Sequence, residues 1–324
     1  MSKRYDYDLI ALGELLIDFT PMGRDDAGDV MFARKAGGAP LNLLAACAKF
    51  GGRTAFIGKV GADMFGDFLI ETVKASGVDA SALRVDPVHN TTMAFVQLNE
   101  NGDRDFTFAR RFGADTFLGA DEVPDDMIRA CRVFHFGSLS FTSPVSADAT
   151  RRALTVAREA GCMISYDPNF RPPLWESAEQ AAAAMRENLT FAKLVKASRE
   201  EVALVAGTDT TDEGIAAGLK YIHGLGVRLC VVTDGPHPVT VSLDGETAVV
   251  TPEPRKCVDT TGAGDIFFGT FLSCLLREDK TLDTLTLADC VRYAAAANHI
   301  SGLSTLKHGA IASIPEIPAD WRIR

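Results

Sequence analysis

Asp259-Thr260-Thr261-Gly262-Ala263-Gly264-Asp265 runs without a break into Ile266-Phe267-Phe268-Gly269-Thr270-Phe271-Leu272. Two glycines two apart let the backbone turn where a Cβ would obstruct it. The apolar run behind them reads as a buried helix, Ile266–Arg277. A helix leaves its first amide N–H groups unpaired at its N-terminus. With the macrodipole they form an anion hole, so Gly262, Ala263 and Gly264 read as a cradle for phosphate. Asp265 stands at the mouth of this hole, where a carboxylate can take the proton of an attacking hydroxyl. In phosphoryl transfer the charge to be offset lies on the phosphoryl oxygens, so such a hole is aimed where catalysis needs it. A bare Gly-x-Gly would fit an aspartate cap on a close-packed helix. The whole string ahead of so apolar a helix favours chemistry. No Gly-x-x-x-x-Gly-Lys-Ser/Thr string is present, which excludes a P-loop.

Outward from this string, short apolar runs alternate with helical patterns. Leu9–Leu12, Thr54–Val60, Val133–Phe136, Met163–Tyr166, Leu194–Val195 and Leu229–Thr233 read as buried strands bounded by Gly, Asp or Pro. Leu41–Phe50, Phe68–Ser76, Ser146–Ala160, Ala178–Thr190, Glu213–Gly224, Ile266–Arg277 and Leu287–Ser301 read as helices. The alternation implies an α/β fold, doubly wound, with a mostly parallel sheet flanked by helices. Ligands bind such sheets beyond the carboxyl ends of the strands. Two segments break the rhythm, at about 18–36 and 91–111. The second holds two strand patterns around Asn101-Gly102, which supplies the φ > 0 residues of a hairpin turn. Together they read as a small antiparallel β-sheet lid.

The 324 residues are 47% hydrophobic and 23% charged, a balance that supports a sizeable core. With no linker or repeat, residues 1–324 read as a single domain. The net charge of −10 and the lack of a basic run count against nucleic acid as a partner. Seven cysteines, none in a Cys-x-x-Cys pair, read as free thiols. No stretch of eighteen apolar residues suggests a membrane span, and no signal peptide is recognisable. The expected setting is cytoplasmic, away from membranes.

At the Asp259–Asp265 string the chain resembles the ribokinase-like (PfkB-type) carbohydrate kinases. Gly37-Gly38-Ala39-Pro40-Leu41-Asn42, through Phe50-Gly51-Gly52 to Ala55–Gly61, is similar to a second motif of that family. The resemblance runs from Gly13 to Pro315 and implies a ribokinase-like doubly wound domain closed by a β-sheet lid, through which members often form homodimers. It implies ATP and a small-molecule sugar as substrates, Mg²⁺ as cofactor and K⁺ as activator. By position it makes Asp18, Gly38 and Asn42 sugar ligands, with Asp265 as base. It assigns Ser198, Glu201, Thr233, Gly235, Gly264 and Asn298 to ATP, and Glu201 to Mg²⁺ through water. Pro236 and Pro238 stand where relatives usually have a further Gly. Asp259, Thr261, Ser304, Gly309 and Ser313 fall at the spacing of K⁺ ligands, partly through backbone carbonyls.

Ala94-Phe95-Val96, Arg110-Arg111-Phe112-Gly113-Ala114-Asp115 and Tyr166–Trp175 resemble fructokinases in particular. They imply that Arg110 covers the sugar and that Arg171 stabilises substrate hydroxyls or phosphate. The expected reaction is phosphorylation of D-fructose to fructose 6-phosphate. A kinase for 2-keto-3-deoxygluconate or ribose is the alternative, and a non-catalytic sugar or nucleotide sensor is the reading from another class.

Overall fold

The computed structural model describes residues 5–98, 104–318 and 321–323. β1 (Tyr7–Leu12) leads to β2 (Leu16–Arg24) and β3 (Val30–Gly37), then α1 (Ala39–Lys49), β4 (Thr54–Gly61), α2 (Met64–Ala75), β5 (Val78–Asp79) and β6 (Leu83–Asp86). β7 (Met93–Leu98) and β8 (Arg104–Ala109) follow. Next come α3 (Asp125–Arg129), β9 (Cys131–Gly137), α4 (Pro144–Glu159), β10 (Met163–Asp167), α5 (Ala178–Leu189) and β11 (Leu194–Ser198). The chain continues as α6 (Arg199–Ala206), α7 (Asp212–Gly224), β12 (Leu229–Thr233), β13 (Val239–Leu243), β14 (Glu246–Val250), α8 (Ala263–Arg277) and α9 (Leu287–Ser304).

Ten strands form one sheet in the order β14-β13-β12-β11-β10-β9-β1-β4-β5, with β6 also on β4. Every pairing is parallel except β12 with β13 and β13 with β14. The continuous apolar runs follow from burial on both faces: Leu9, Ile10 and Ala11 are all fully buried. One core layer joins the sheet to α1, α2, α8 and α9, with Leu44, Leu69, Phe268, Phe271 and Tyr293. The other joins it to α3–α7, with Ile128, Leu154, Met185, Val202 and Leu219. From β1 the chain winds outward to β4 on one side and from β9 on the other. Beyond the carboxyl ends of β1 and β9 lies the crevice created by this reversal. Among the described residues no helix is long and apolar enough to cross a membrane.

The expected strands and helices are present; β5, β6, α3 and α6 are additional, α8 starts earlier, at Ala263, and three further differences stand out. Helix α2 begins at Met64 rather than Phe68, because Asp63 accepts hydrogen bonds from the Phe65 and Gly66 amides and caps it there. The β13–β14 hairpin adds an antiparallel edge that the strand reading omitted. Its turn is Asp244-Gly245, with φ of 50° and 93°, a dipeptide that signals hairpins.

The third difference is the lid. It is a four-stranded sheet in the order β3-β2-β7-β8, but it is mixed rather than antiparallel, since β2 pairs parallel with β7. The reason is topological. β2 follows β1 and β7 follows β6, and β1 and β6 both run parallel to β4, so the two extensions leave the main sheet in the same direction. The expected Asn101-Gly102 turn lies outside the described residues.

Candidate active site

Helix α8 opens at Gly262, whose φ is 72°. A Cβ on Gly262 would also lie 2.5 Å from the Ala310 Cβ, so this position demands glycine on two counts. No side chain caps the helix. The Ala263 N–H donates to the Thr260 carbonyl at 3.2 Å. Of the three string residues expected to cradle phosphate, Ala263 is thus committed within its own turn. The Gly264 and Asp265 amides are the first-turn donors left at the mouth.

Asp265 keeps part of its residue surface open, but its carboxyl is embedded. Burial, with help from the Asp167 charge, pushes its pKa up to about 6 against the opposing pull of Lys196, the Asn42 amide and Arg171. The Asn42 Nδ2 donates to Asp265 Oδ2 at 2.9 Å. Asn42 sits in the first turn of α1, and its Oδ1 is buried with no hydrogen-bond partner among the described residues. A buried acceptor without a donor is costly, and this one belongs to the side chain that holds the Asp265 carboxyl.

Gly38 and Asn42, two residues expected to bind the sugar, lie at the start of α1. Gly38 has φ of 118°, and a Cβ there would lie 2.4 Å from the Glu14 carbonyl oxygen. Glu14 Oε1 accepts the Ala39 N–H at 3.0 Å, and burial pushes its pKa up to about 7. Asp18 lies opposite Lys35 across the β2–β3 ladder. Arg171 is close enough to Asp265 for its charge to act on that carboxyl, and it donates to the Phe170 carbonyl at 3.0 Å.

Arg110, expected over the sugar, is tied to three neighbours. It is 4% exposed, and its Nε donates to Asp115 Oδ2 at 2.8 Å. Its Nη1 donates to Thr142 Oγ1 at 2.6 Å and its Nη2 to the Leu139 carbonyl at 3.1 Å. The guanidinium is thus held firmly in place, and its charge reaches Glu14 beside Gly38. It anchors the end of β8, where the lid returns to the body.

Ser198 and Glu201, expected to serve ATP, form a capping box at the start of α6. Ser198 Oγ accepts the Glu201 N–H at 3.2 Å, and Glu201 Oε2 accepts the Ser198 N–H at 2.7 Å. Glu201 Oε1 accepts the Phe170 N–H at 2.7 Å. Burial and the Asp167 charge raise its pKa. Both Glu201 oxygens carry a backbone bond, so it suits a cation held through water better than one bound directly. Thr233, Gly235, Pro236, Phe267, Gly264 and Asn298 line a cavity of about 470 Å³. The Asn298 Nδ2 is buried without a partner among the described residues. Pro236 supplies apolar wall, Gly235 turns the loop with φ of 52°, and Pro238 lies on the neighbouring cavity instead.

Two of the residues expected to hold a cation, Thr261 and Gly309, meet Asp259. Asp259 Oδ1 accepts the Thr261 N–H at 2.8 Å, and Oδ2 accepts the Gly309 N–H at 2.9 Å. Ser304 and Ser313 are buried, their hydroxyls donating to the Ser301 and Ala310 carbonyls. An all-oxygen donor set of one carboxylate and backbone carbonyls suits a hard monovalent cation.

Two residues at the centre carried no role in the sequence reading. Lys196 Nζ lies 2.9 Å from Asp167 Oδ2, and both side chains are buried. The signal was present: a lysine inside the apolar run Leu194–Ala197 and an aspartate closing Met163–Tyr166 are charges within otherwise buried strands.

Residues 7–317 match the family described as pfkB family carbohydrate kinase. The chain belongs to this family. It is 37% identical over 311 residues to probable fructokinase-4 of Arabidopsis thaliana, covering 95% of this chain and 93% of that one. It is 37% identical over 310 residues to fructokinase-2 of Solanum habrochaites, with 95% and 93% covered. Among solved structures it resembles a Xylella fastidiosa fructokinase with bound ATP, with TM-score 0.86, 30% identity and 95% of each chain covered. It also resembles a Vibrio cholerae O395 fructokinase with fructose, ADP and calcium ion bound, with TM-score 0.84, 31% identity, and 95% and 96% covered. The fold is ribokinase-like, and the chain is a phosphotransferase that acts on a sugar hydroxyl.

Proposed function

We propose that this kinase transfers the γ-phosphoryl group of ATP to D-fructose, giving fructose 6-phosphate. The observation that carries the sugar site is Asn42. Its Nδ2 holds Asp265 at 2.9 Å, and its buried Oδ1 lacks a donor that a sugar hydroxyl would supply. The preference for fructose rests on the fructokinases among its relatives.

In this reading residues 7–317 work as one kinase unit. Asp18, Gly38 and Asn42 orient the sugar, while the lid excludes water that would compete as nucleophile. Asp265 takes the proton of the primary hydroxyl as its oxygen attacks phosphorus. The Gly264 amide and the α8 dipole offset charge on the phosphoryl oxygens, with Arg171 beside them. The nucleotide base enters the cavity of Pro236, Phe267 and Asn298. Mg²⁺ bound with ATP neutralises phosphate charge, and Glu201 would hold its water shell.

K⁺ behind the hole would be held by Asp259 and by carbonyls of Thr261, Ser304, Gly309 and Ser313, fixing the loop electrostatically. Turnover in potassium buffer is expected to exceed that in tetramethylammonium buffer. Equal initial rates in the two would count against the cation site.

The lid also presents exposed apolar surface. Phe32 and Phe95 are 44% and 37% exposed, and Phe95 stacks on Phe19 at 5.1 Å between centroids. Such a patch supports a homodimer formed through the lid, which sedimentation of the free chain decides.

A further inference from the structure

Lys196 stands against Gly264 at the start of α8. It lies on β11 between Val195 and Ala197, both buried, and is itself 7% exposed. A Cβ built on Gly264 would lie 3.1 Å from Lys196 Nζ and 3.5 Å from its Cε. The ammonium therefore stands against the bare face of the residue that heads the anion hole. Gly264, unlike Gly262, has no positive φ. Its backbone conformation is open to any residue, so what its lack of a side chain provides is room for this ammonium.

An ammonium has three donors. One meets Asp167 Oδ2 at 2.9 Å, and the other two have no partner among the described residues. Buried donors left open are costly, and an incoming phosphoryl oxygen would fill them. Burial works against the charge on Lys196, yet Asp167, Glu201 and Asp265 outweigh it and hold its pKa above the ordinary lysine value. It is therefore an ammonium near pH 6, where Asp265 ionises.

We propose that Lys196 is a further catalytic residue of this kinase, an ammonium that Asp167 holds between turnovers and that binds the transferring phosphoryl group beside the Gly264 amide. The step rests on the kinase reading above. The bond from phosphorus to the bridging oxygen of ATP breaks as the bond to the sugar oxygen forms. The hydroxyl proton goes to Asp265, the electron pair leaves with ADP, and Lys196 keeps all its protons.

The bland alternative is a buried ion pair that only ties β10 to β11, and the test separates the two. In the full chain with fructose and MgATP, Lys196→Gln is expected to lower kcat about 10²–10³-fold, with the fructose KM within about threefold. Binding of MgADP with aluminium fluoride, a mimic of the transferring group, should be lost, while MgADP alone binds within about threefold of wild type. Asp167→Asn frees the ammonium without removing it and should cost less than about tenfold in kcat. The pH profile gives an independent readout. Asp167, Glu201 and Arg171 are the other charged groups facing this centre, and loss of the Lys196 charge should move the acid limb of kcat/KM to higher pH.

Near-normal kcat in Lys196→Gln overturns the proposal, as do equal losses in Lys196→Gln and Asp167→Asn. Should the glutamine variant not fold, Lys196→Met fills the same space with no polar group to bury and carries the same readouts. A wild-type chain that turns over no sugar would instead sink the kinase reading itself.

Discussion

Asp265→Asn is expected to lower kcat for sugar phosphorylation by about 10²–10⁴, with KM changed less than about threefold. Asparagine keeps the shape and can still meet the Asn42 amide that donates to Asp265 at 2.9 Å, but it cannot accept the hydroxyl proton. The base must be ionised to act, and burial pushes its pKa up to about 6. Wild-type kcat/KM should therefore fall as pH drops through about 6, and the residual rate of the variant should lack that limb. Unfolding will not mimic the loss. A carboxyl whose folded pKa lies above its unfolded value weakens the fold as pH rises between the two, and stays a net penalty above them. The neutral asparagine escapes that penalty, so its thermal midpoint at pH 8 should not fall below wild type. Stopped assays across pH 5–8, with melting curves alongside, read both quantities. Near-normal turnover in Asp265→Asn would remove the base assignment.

Gly38→Ala is expected to destabilise the fold by about 3 kcal/mol through backbone strain and overpacking. The position has φ of 118°, and the new Cβ would lie 2.4 Å from the Glu14 carbonyl oxygen and 3.3 Å from the Leu15 Cα. Both contacts are backbone, so no side chain can swing aside. The strain falls where the loop after β1 meets the start of α1, next to the Ala39 amide that Glu14 holds. Urea denaturation would show a lower midpoint at unchanged slope. If glycine were there only to let a sugar ring approach, the alanine variant would be as stable as wild type and lose sugar affinity alone.

Much of the fold could be read because burial on both faces of a parallel sheet writes itself as continuous apolar runs, as in Leu9–Leu12 and Leu229–Thr233. Gly262 and Asp265 were legible too, since a glycine turn feeding a buried helix is a local pattern. What local pattern could not give was partnership. Arg110 bonds Asp115, five residues on, but also Thr142, which only the fold brings to it. Lys196 meets Asp167 only because β10 and β11 lie side by side. The parallel pairing of β2 with β7 likewise depends on where β1 and β6 sit in the main sheet. Ser198 and Glu201 were placed by resemblance, and the structure adds that each bonds the other's amide in a helix cap.

The account's central claim is sugar phosphorylation with a preference for fructose. Its most direct test is ADP release by the purified chain with MgATP across D-fructose, D-glucose, D-ribose and 2-keto-3-deoxygluconate. The account predicts the highest kcat/KM with fructose, one ADP for each fructose 6-phosphate formed, and near-background rates in Asp265→Asn. A higher kcat/KM with 2-keto-3-deoxygluconate or ribose, or sugar binding with no ADP formed, would contradict it.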